Sequence, residues 1–396
     1  MFEHLKVLPQ DPILQLMQSF RDDPRPDKVD LGVGVYRDAT GNTPIMGAVH
    51  KAARRLLEHE KTKSYVGPAG SPGFNSAVTE LLLGGDNPLS RDNRVSTIQT
   101  PGGCGALRMA AEFIKLCKPD AAVWVSTPTW ANHMPLLGGA GLRIQSYPYL
   151  NSETLEVDFD DMMAALEMAR KGDVVLLHGC CHNPSGADLT ASQWAGITDL
   201  ILRKELLPFV DMAYQGLGDG LEEDAQGLRH LAQAAPEMLV AASCSKNFGL
   251  YRERTGALML ISGNAKSQKA ANSQLLSIIR AHYSMPPAHG AGLVETILQD
   301  DELRREWQAE LSGMRDRIQQ LRHAFSRELA SSGDFDFIAR QKGMFSFIGI
   351  SEKQVNYLRA HHGIYLLESS RINIAGLSDK TLPRVAAAIR EAVASA

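Results

Sequence analysis

The sequence predicts an α/β fold, in which a large domain built on a mostly parallel sheet flanked by helices is followed by a smaller α+β domain. Its 396 residues suggest more than one domain. Short, continuous apolar segments alternate with helical patterns through the middle of the chain, which is typical of a parallel sheet covered on both faces. After about residue 300 the pattern changes to a long, charged, periodic segment followed by short strands.

The predicted sheet consists of seven short apolar segments: Val95–Thr100, Ala122–Ser126, Leu142–Tyr147, Val174–His178, Leu207–Val210, Met238–Ser243 and Gly256–Ile261. Helical patterns separate most of them, for example Ala106–Leu116, Phe159–Arg170 and Ala191–Lys204. Sheets of this kind bind ligands beyond the carboxyl ends of their strands, so polar residues at those ends are the candidates for a functional site.

The smaller domain is predicted from the C-terminal third of the chain. Its elements are an extended helix over Asp301–Leu329, strands near Phe335–Ala339 and Met344–Ile348, and a last helix near Ser378–Ala394. The segment Asp30–Arg37 is expected to join it. The predicted boundaries are therefore 1–43 for an N-terminal arm and part of the small domain, 44–312 for the large domain and 313–396 for the rest of the small domain.

Composition excludes several classes of function. The net charge is −4 and the sequence has no basic block that could follow a nucleic-acid backbone. No apolar run reaches the length of a membrane span, and the N-terminus lacks the pattern of a signal peptide. Five cysteines without Cys-x-x-Cys spacing argue against a disulfide framework. We therefore expect a cytoplasmic protein without nucleic-acid or membrane partners.

Two adjacent cysteines, Cys180 and Cys181, lie between His178 and His182 and resemble a metal cluster. Adjacent side chains on a strand point to opposite faces of the sheet, so few of these four could share one ion. Buried thiols in a core strand are the favoured interpretation, and no metal site is predicted.

Lys246 is the most informative residue. It follows the apolar strand Met238–Ser243, where burial would disfavour the ammonium form, lower the pKa and make the amine nucleophilic. Ser243 and Ser245 precede it and Arg254 follows it, and these groups suit a phosphate. A lysine beside a phosphate cradle is what a pyridoxal phosphate enzyme requires. A lone lysine after a strand is more often a surface residue, and it is the neighbouring motifs that favour the site.

Two further motifs follow predicted strands. Asp211 ends one strand, where a carboxylate could hold a pyridinium N–H, and Tyr214 could donate to a ring oxygen. A helix-capping aspartate with a packed tyrosine explains this motif equally well. Asn183 follows another strand and could donate to a ligand oxygen, although Asn-Pro is also a common turn dipeptide.

Glycines at 102, 103 and 105 follow a strand and open a helix, whose free amides suit a phosphate. The spacing does not match a dinucleotide-binding Gly-x-Gly-x-x-Gly motif. Trp130 could stack on an aromatic ring, although most tryptophans simply pack. Arg280 and Arg371 lie beside apolar residues, where a guanidinium needs a fixed anion, either a substrate carboxylate or a structural partner.

Together these motifs resemble the aspartate and aromatic amino acid aminotransferases, a class I family of fold-type I pyridoxal phosphate enzymes. The resemblance runs from about Asp11 to the C-terminus and is most specific in four segments: Leu-Gly-Val-Gly-Val-Tyr at 31–36, His-Gly-Cys-Cys-His-Asn-Pro at 178–184, Asp-Met-Ala-Tyr-Gln-Gly at 211–216 and Ser-x-Ser-Lys-Asn-Phe-Gly-Leu-Tyr-x-Glu-Arg at 243–254.

The resemblance implies catalytic roles for Lys246, Asp211 and Tyr214, with His133 supporting Asp211. The implied cofactor-binding residues contact either the ring or the phosphate: Trp130, Asn183 and Tyr214 for the ring, and Gly103, Cys104, Ser243, Ser245, Arg254 and the neighbouring subunit's Tyr65 for the phosphate. The implied substrate-binding residues line the pocket on both sides of the cofactor: Gly34, Trp130, Asn183, Arg280 and Arg371. Arg371 would bind the α-carboxylate, and Arg280 would reach across a homodimer interface to a distal carboxylate.

Several positions depart from the family pattern. Cys104 replaces a hydroxyl residue beside the cofactor, Ser64 and Met285 stand where asparagine is frequent, Ser370 replaces a glycine and Cys244 replaces an aromatic residue. None of them is required for the chemistry, but they bear on substrate preference. Met285 would soften the pocket wall and could admit larger side chains.

The function implied is transfer of an amino group between aspartate or an aromatic amino acid (tyrosine or phenylalanine) and 2-oxoglutarate by a ping-pong mechanism. One alternative is another pyridoxal phosphate reaction, a decarboxylation or a β-elimination, in the same site. A second is a cofactor-binding regulator without catalysis, which would need an appended DNA-binding module for which the sequence has no room.

Overall fold

The computed structural model describes residues 1–394 and confirms the predicted α/β class. The strands are β1 (Val29–Asp30), β2 (Val95–Pro101), β3 (Ala122–Thr127), β4 (Arg143–Pro148), β5 (Val174–His178), β6 (Leu207–Met212), β7 (Met238–Ser243), β8 (Thr255–Ile261), β9 (Phe345–Phe347), β10 (Ile364–Tyr365) and β11 (Arg371–Asn373). In this part of the chain no helix is long and apolar enough to cross a bilayer.

The helices are α1 (Pro12–Asp22), α2 (Gly47–His59), α3 (Pro72–Leu83), α4 (Pro88–Arg91), α5 (Gly102–Cys117), α6 (His133–Gly138), α7 (Phe159–Leu166), α8 (Ala191–Lys204), α9 (Gln226–Ala234), α10 (Ala265–His282), α11 (Ala288–Gln299), α12 (Asp301–Leu329), α13 (Phe337–Arg340), α14 (Glu352–His362) and α15 (Leu382–Ala394). Short 3₁₀ turns cover Phe2–His4, Ala330–Ser332 and Ile374–Gly376.

The central sheet has seven strands in the order β2-β8-β7-β6-β5-β3-β4. All neighbours are parallel except β8, which runs antiparallel to both β2 and β7. The carboxyl ends of the other strands therefore meet the amino end of β8 at one edge. This arrangement brings the segment before β8 to the edge where parallel sheets bind ligands.

Both faces of the sheet are buried, as the continuous apolar strands predict. Along β7 the side chains alternate between two hydrophobic cores: Val240 faces one, whereas Leu239 and Ala241 face the other. The second core is closed by α5 and α10, which contribute Leu107 and Leu275. A sheet buried on both faces is a rigid platform for the loops at its edge.

Helix α12 has 29 residues, about 43 Å at the usual rise, and links the central sheet to the C-terminal elements. Asp300 caps it by accepting main-chain N–H groups of Glu302 and Leu303 at 3.1 and 2.9 Å. Its buried stripe includes Trp307, which stacks on Phe248 with ring centroids 4.4 Å apart. The indole N–H also donates to the Asn247 carbonyl at 2.7 Å, so α12 supports the turn that carries Lys246.

Two small sheets complete the fold. β1 pairs in parallel with β10, which places the end of the N-terminal segment beside C-terminal residues. β9 pairs antiparallel with β11, with Arg371 opposite Phe347. The predicted strand Phe335–Ala339 is wrong: that stretch leads into α13, a single helical turn in which the adjacent Phe337 and Ile338 are both buried. The domain boundaries at 43 and 312 stay predictions, and residues 395 and 396 lie outside the described part.

Replacing Trp307 by alanine should lower the free energy of unfolding by about 3–5 kcal/mol, because a large buried ring and its hydrogen bond are both lost. Urea unfolding monitored by circular dichroism measures this loss. The exposed Met168, replaced by alanine, is the matched control and should change stability by less than about 0.5 kcal/mol. A loss below about 1 kcal/mol in Trp307→Ala would contradict the supporting role of this helix.

Candidate active site

The candidate site is a cavity of about 280 Å³ at the ligand-binding edge of the central sheet. Twelve of the residues singled out from the sequence line it: Gly34, Gly103, Cys104, Trp130, Asn183, Asp211, Tyr214, Ser243, Ser245, Lys246, Arg254 and Arg371. The strand ends explain this convergence: His178 of β5 pairs with Asp211 of β6, and Ser243 of β7 pairs with Gly256 of β8. Residues far apart in sequence are thereby placed side by side.

Lys246 lies in the turn after β7, with its amine 4.8 Å from the centre of the Tyr214 ring. Burial lowers its pKa, and the nearby carboxylate of Asp211 only partly opposes that effect. Among the described residues no carboxylate oxygen lies within ion-pair distance of the amine. A desolvated amine without a fixed counter-ion is suited to act as a nucleophile and a base.

Asp211 points into the cavity and is held from behind by His133, whose Nε2 lies 2.9 Å from the carboxylate Oδ2. Burial alone would raise the pKa of Asp211, but the hydrogen bond from His133, with a contribution from Lys246, lowers it overall. The carboxylate therefore stays ionised and can hold a proton on a ring nitrogen that faces it.

A chain of hydrogen bonds sets the orientation of His133. The main-chain N–H of Asn183 donates to Nδ1 of His178 at 3.4 Å, which leaves the proton of this neutral ring on Nε2. That N–H can donate to Thr129 Oγ1 at 3.2 Å, and the Thr129 hydroxyl to Nδ1 of His133 at 2.8 Å. His133 is then left with a proton on Nε2 to donate to Asp211. His178 and Thr129 were not identified from the sequence.

A cradle for an anion lies where β2, β7 and β8 meet. Ser243 donates its hydroxyl to Ser245 at 3.0 Å, and the amides of Gly103 and Cys104 lie in the first turn of α5, which has no capping side chain. A Cβ on Gly102, which has a φ of +68°, would lie 2.5 Å from Nη2 of Arg254. Only glycine lets the guanidinium approach this helix end, so hydroxyls, amides and a cation surround one space.

Arg371 is the second cation of the cavity and is 4% exposed. Its guanidinium donates to the Gly32 carbonyl at 2.6 Å and to Asn183 Oδ1 at 3.4 Å, while its Nε has no partner. Burial lowers its pKa, and Tyr214 opposes that effect. No carboxylate pairs with it among residues 1–394, so its fork has the donors for a carboxylate that enters the cavity.

Two predicted residues do not line the cavity of their own chain. Tyr65 is 93% exposed, and Arg280 lies near the end of α10, where it bonds to the Ser284 hydroxyl. Ser64 is exposed, and neither it nor Met285 lines the cavity. These positions were assigned through the resemblance to act across a subunit interface, and that assignment stays a prediction.

The adjacent cysteines need one correction. β5 ends at His178, so Cys180 and Cys181 lie beyond the strand, and the argument from alternating side chains does not hold. Cys181 has a φ of +50°, and the two sulfurs lie within 4.8 Å of each other and of an Asp224 oxygen. The Asp224 carboxylate already accepts main-chain N–H groups of Gly216 and Gly218 at 2.8 and 2.9 Å. Buried thiols beside a turn-capping carboxylate account for this cluster.

Seven lining residues were not assigned to the site from the sequence: Ile13, Leu107, His178, Cys180, Ala213, Tyr251 and Phe345. Tyr251 belongs to the same motif as Lys246, and its hydroxyl accepts the N–H of Tyr36 at 2.9 Å. That motif could have revealed it. Phe345 stands in a predicted strand without any polar signal, and nothing in the sequence distinguishes it from a core residue.

The comparisons with known proteins agree with this geometry. The model of the aminotransferase class I and II family matches residues 26–389. The chain is 50% identical over 394 residues to an aromatic-amino-acid aminotransferase of Paracoccus denitrificans, with 99% of both chains covered. It is 48% identical over 392 residues to the aspartate aminotransferase of Escherichia coli K12, covering 98% of this chain and 99% of the other.

Among solved structures, an aromatic-amino-acid aminotransferase from Burkholderia pseudomallei, crystallised covalently bound to pyridoxal phosphate, superposes with a TM-score of 0.97. The two sequences are 41% identical, and the match covers 99% of each chain. At this identity and coverage the similarity extends over the whole described architecture.

The burial of His178 predicts how the free energy of unfolding depends on pH. Burial, helped by His133, lowers its pKa from 6.5 to about 3. Below pH 6.5 the His178 side chain therefore binds a proton in the unfolded chain but not in the folded chain. The free energy of unfolding consequently falls as the pH falls from 6.5 toward 3. This residue alone should cost up to about 1.4 kcal/mol per pH unit.

Urea unfolding at pH 7 and at pH 5.5 measures the effect, and His178→Gln should show a smaller loss of stability between these pH values than the unchanged protein. The exposed His59, replaced by glutamine, is the control and should keep the original pH dependence. Equal slopes for His178→Gln and the unchanged protein would show that His178 titrates normally in the folded state.

Proposed function

Because the chain belongs to the class I and II aminotransferases, we propose that it transfers an amino group from aspartate, tyrosine or phenylalanine to 2-oxoglutarate with pyridoxal phosphate as cofactor. The observation that carries this proposal is the buried, unpaired amine of Lys246 in one cavity with the ionised carboxylate of Asp211. Few other chemistries need a nucleophilic amine and a fixed carboxylate beside an anion cradle.

The residues fit this cofactor. The cradle of Ser243, Ser245, Arg254 and the α5 amides supplies donors for a phosphate, and the space kept open by Gly102 lets them converge. Asp211 is placed to accept the ring N–H. When bound, pyridoxal phosphate supplies an electron-poor ring that delocalises the negative charge left on the substrate Cα.

Lys246 would act as the base of the reaction, because its Nζ could take the proton from the substrate Cα and later give it up within the same cavity. Its lowered pKa favours the neutral amine, the form that can accept that proton. Asp211 keeps the ring nitrogen protonated, and the His178–Thr129–His133 chain keeps Asp211 in place. Tyr214 and Asn183 lie beside Lys246 and can donate to the ring oxygen.

Arg371 holds the substrate α-carboxylate, since its unpaired Nε and its buried fork lack an anion. The apolar walls around Ile13, Leu107 and Phe345 accommodate an aromatic side chain, whereas a second carboxylate needs a second cation. Arg280 supplies that cation from a second subunit. The active unit is therefore a homodimer with shared sites, in which Tyr65 reaches the partner's phosphate, and it works in the cytoplasm.

The proposed amino-group transfer is tested by supplying aspartate and 2-oxoglutarate and measuring the glutamate formed. We expect turnover, with parallel lines in double-reciprocal plots because the first product leaves before the second substrate binds. Lys246→Ala should abolish turnover and the visible absorbance of the lysine-bound cofactor, while Lys204→Ala, which changes an unrelated lysine in α8, should retain both. Glutamate production by Lys246→Ala, or a decarboxylated product with the unchanged protein, would overturn the proposal.

The shared site is tested with hybrid dimers. Lys246→Ala and Arg280→Ala chains are each expected to have little activity toward aspartate, whereas dimers formed by mixing them contain one site with both residues intact. Refolding equal amounts together should therefore recover about a quarter of the activity of the unchanged dimer, since half the dimers are hybrids with one good site. No recovery above the two parents would place Arg280 in its own chain's site or in none.

A further inference from the structure

We propose that Phe345 is a further substrate-positioning residue, and that the buried Arg322 holds it in place. Phe345 would orient the Arg371 guanidinium toward the substrate carboxylate. This inference rests on the proposed function, because it concerns the same cavity and the carboxylate assigned to Arg371.

The Phe345 ring lies between the groups that surround the substrate. Its centre is 4.4 Å from the guanidinium carbon of Arg371, a cation–π distance. Its edge faces Tyr214 with centroids 6.1 Å apart, and a Cβ on Gly34 would lie 2.8 Å from its Cζ. The Phe345 ring therefore covers one face of the Arg371 guanidinium and leaves the edge that carries its N–H donors uncovered.

Besides the ring, only one short hydrogen bond, from Nη2 to the Gly32 carbonyl at 2.6 Å, sets the orientation of the Arg371 guanidinium. Of its two hydrogen bonds, the one to Asn183 is long at 3.4 Å, and the other goes to a main-chain carbonyl. An arginine without a carboxylate partner depends on packing for its position until the substrate arrives. The flat ring supplies that packing and a favourable electrostatic face.

Phe345 in turn needs support, because its strand is weak. β9 has three residues and pairs only with the three residues of β11 in a two-stranded sheet, an arrangement that is marginal by itself. On the other side the Phe345 carbonyl packs against Gly186, where a Cβ would lie 2.4 Å from that oxygen. The segment around Phe345 is closely packed, but the hydrogen bonds between β9 and β11 alone are too few to fix its position.

Arg322 supplies the support. It lies on α12, is 1% exposed and has no carboxylate within ion-pair distance in the described chain. Its guanidinium donates to the carbonyls of Phe345, Gly343 (2.8 Å) and Ile338 (3.0 Å) and to the Ser346 hydroxyl (2.8 Å). Every donor is directed at the segment that ends in β9, which is what a fork that positions a short strand requires.

The free-energy cost of burying the Arg322 cation also supports a positioning role for this residue. Burial lowers the pKa of Arg322 to about 10, and the nearby Cys181 and Asp188 oppose that shift only in part. An apolar side chain of similar volume would fill the space without that cost, but it could not bind the carbonyl groups of 338–346. The guanidinium is therefore explained by the geometry it imposes on Phe345.

The test measures binding of succinate, a dicarboxylate without an amino group, to the holoenzyme through the absorbance of the bound cofactor. Phe345→Leu should weaken succinate about 3- to 30-fold, in line with the loss of a buried cation–π contact, and leave cofactor affinity unchanged. Arg322→Lys should weaken it in the same direction but add nothing in the Phe345→Leu background. A KM increase with little change in kcat should accompany both.

Two matched variants serve as controls. Phe159→Leu removes a ring from α7, and Arg94→Lys removes a guanidinium that binds the carbonyls of Ser262 and Pro236 at another part of the sheet. Both should keep the original succinate affinity. If Arg322→Lys does not fold, Ser346→Ala, which removes one acceptor of Arg322, replaces it with a smaller expected effect.

The outcomes separate this inference from the proposed function. Unchanged succinate binding in Arg371→Lys would overturn the proposed role of Arg371. Weaker binding in Arg371→Lys but not in Phe345→Leu would overturn this inference alone. Additive losses in the double variant, or reduced cofactor affinity in Phe345→Leu, would show a general structural role instead of positioning.

Discussion

The site depends on keeping one amine and one carboxylate out of water without letting them pair. Lys246 and Asp211 share a cavity wall, and burial acts on both, favouring the neutral amine and opposing the charged carboxylate. The balance is set from behind Asp211 by His133, which stabilises its charge. Without that support, burial would raise the pKa of Asp211 and favour the protonated carboxyl over the carboxylate that a ring N–H requires.

The sheet makes this arrangement possible because its strand ends meet at one edge. Five parallel strands, β3 to β7, would bring only residues that follow a strand to this place. The antiparallel β8 adds residues that precede a strand, and so Arg254 joins Ser243 in the anion cradle. The large cores on both faces keep these loops at fixed separation, which a cofactor with a phosphate at one end and a ring nitrogen at the other requires.

Much of this was predictable from the sequence, since all seven sheet strands and the long α12 helix follow from apolar runs and periodicity. Asn183, Asp211 and Lys246 were found because they stand shortly after those strands. Gly34 and Cys104 were assigned only through the resemblance to the family. The two wrong predictions concern short stretches of secondary structure. The stretch before Arg340 carries apolar residues that suit a strand or a turn of helix equally, and packing decided for the helix. The thiols of Cys180 and Cys181 were assigned to a strand that ends two residues earlier.

The remaining site residues could not be predicted because they depend on distant contacts. His178 acquires its role through Thr129, 49 positions away, and Phe345 through Arg371 across a short ladder. Ser370 shows a related limit: the resemblance predicts a glycine at this position, and its φ of +65° is one that glycine adopts without strain. Its hydroxyl accepts the Gly349 N–H at 3.0 Å, a bond that glycine could not make.

The hairpin formed by β7 and β8 has one further consequence. The amine-bearing turn, both cradle hydroxyls and Arg254 all lie within residues 238–261, so Lys246 and the side-chain donors of the anion cradle belong to one contiguous stretch of chain. Such a unit closes with little loop entropy and can form before the strands that flank it are in place. The lysine and the side chains of the anion cradle thus come from one local stretch of chain, whereas the substrate side combines Gly34, near the N-terminus, with Arg371, near the C-terminus.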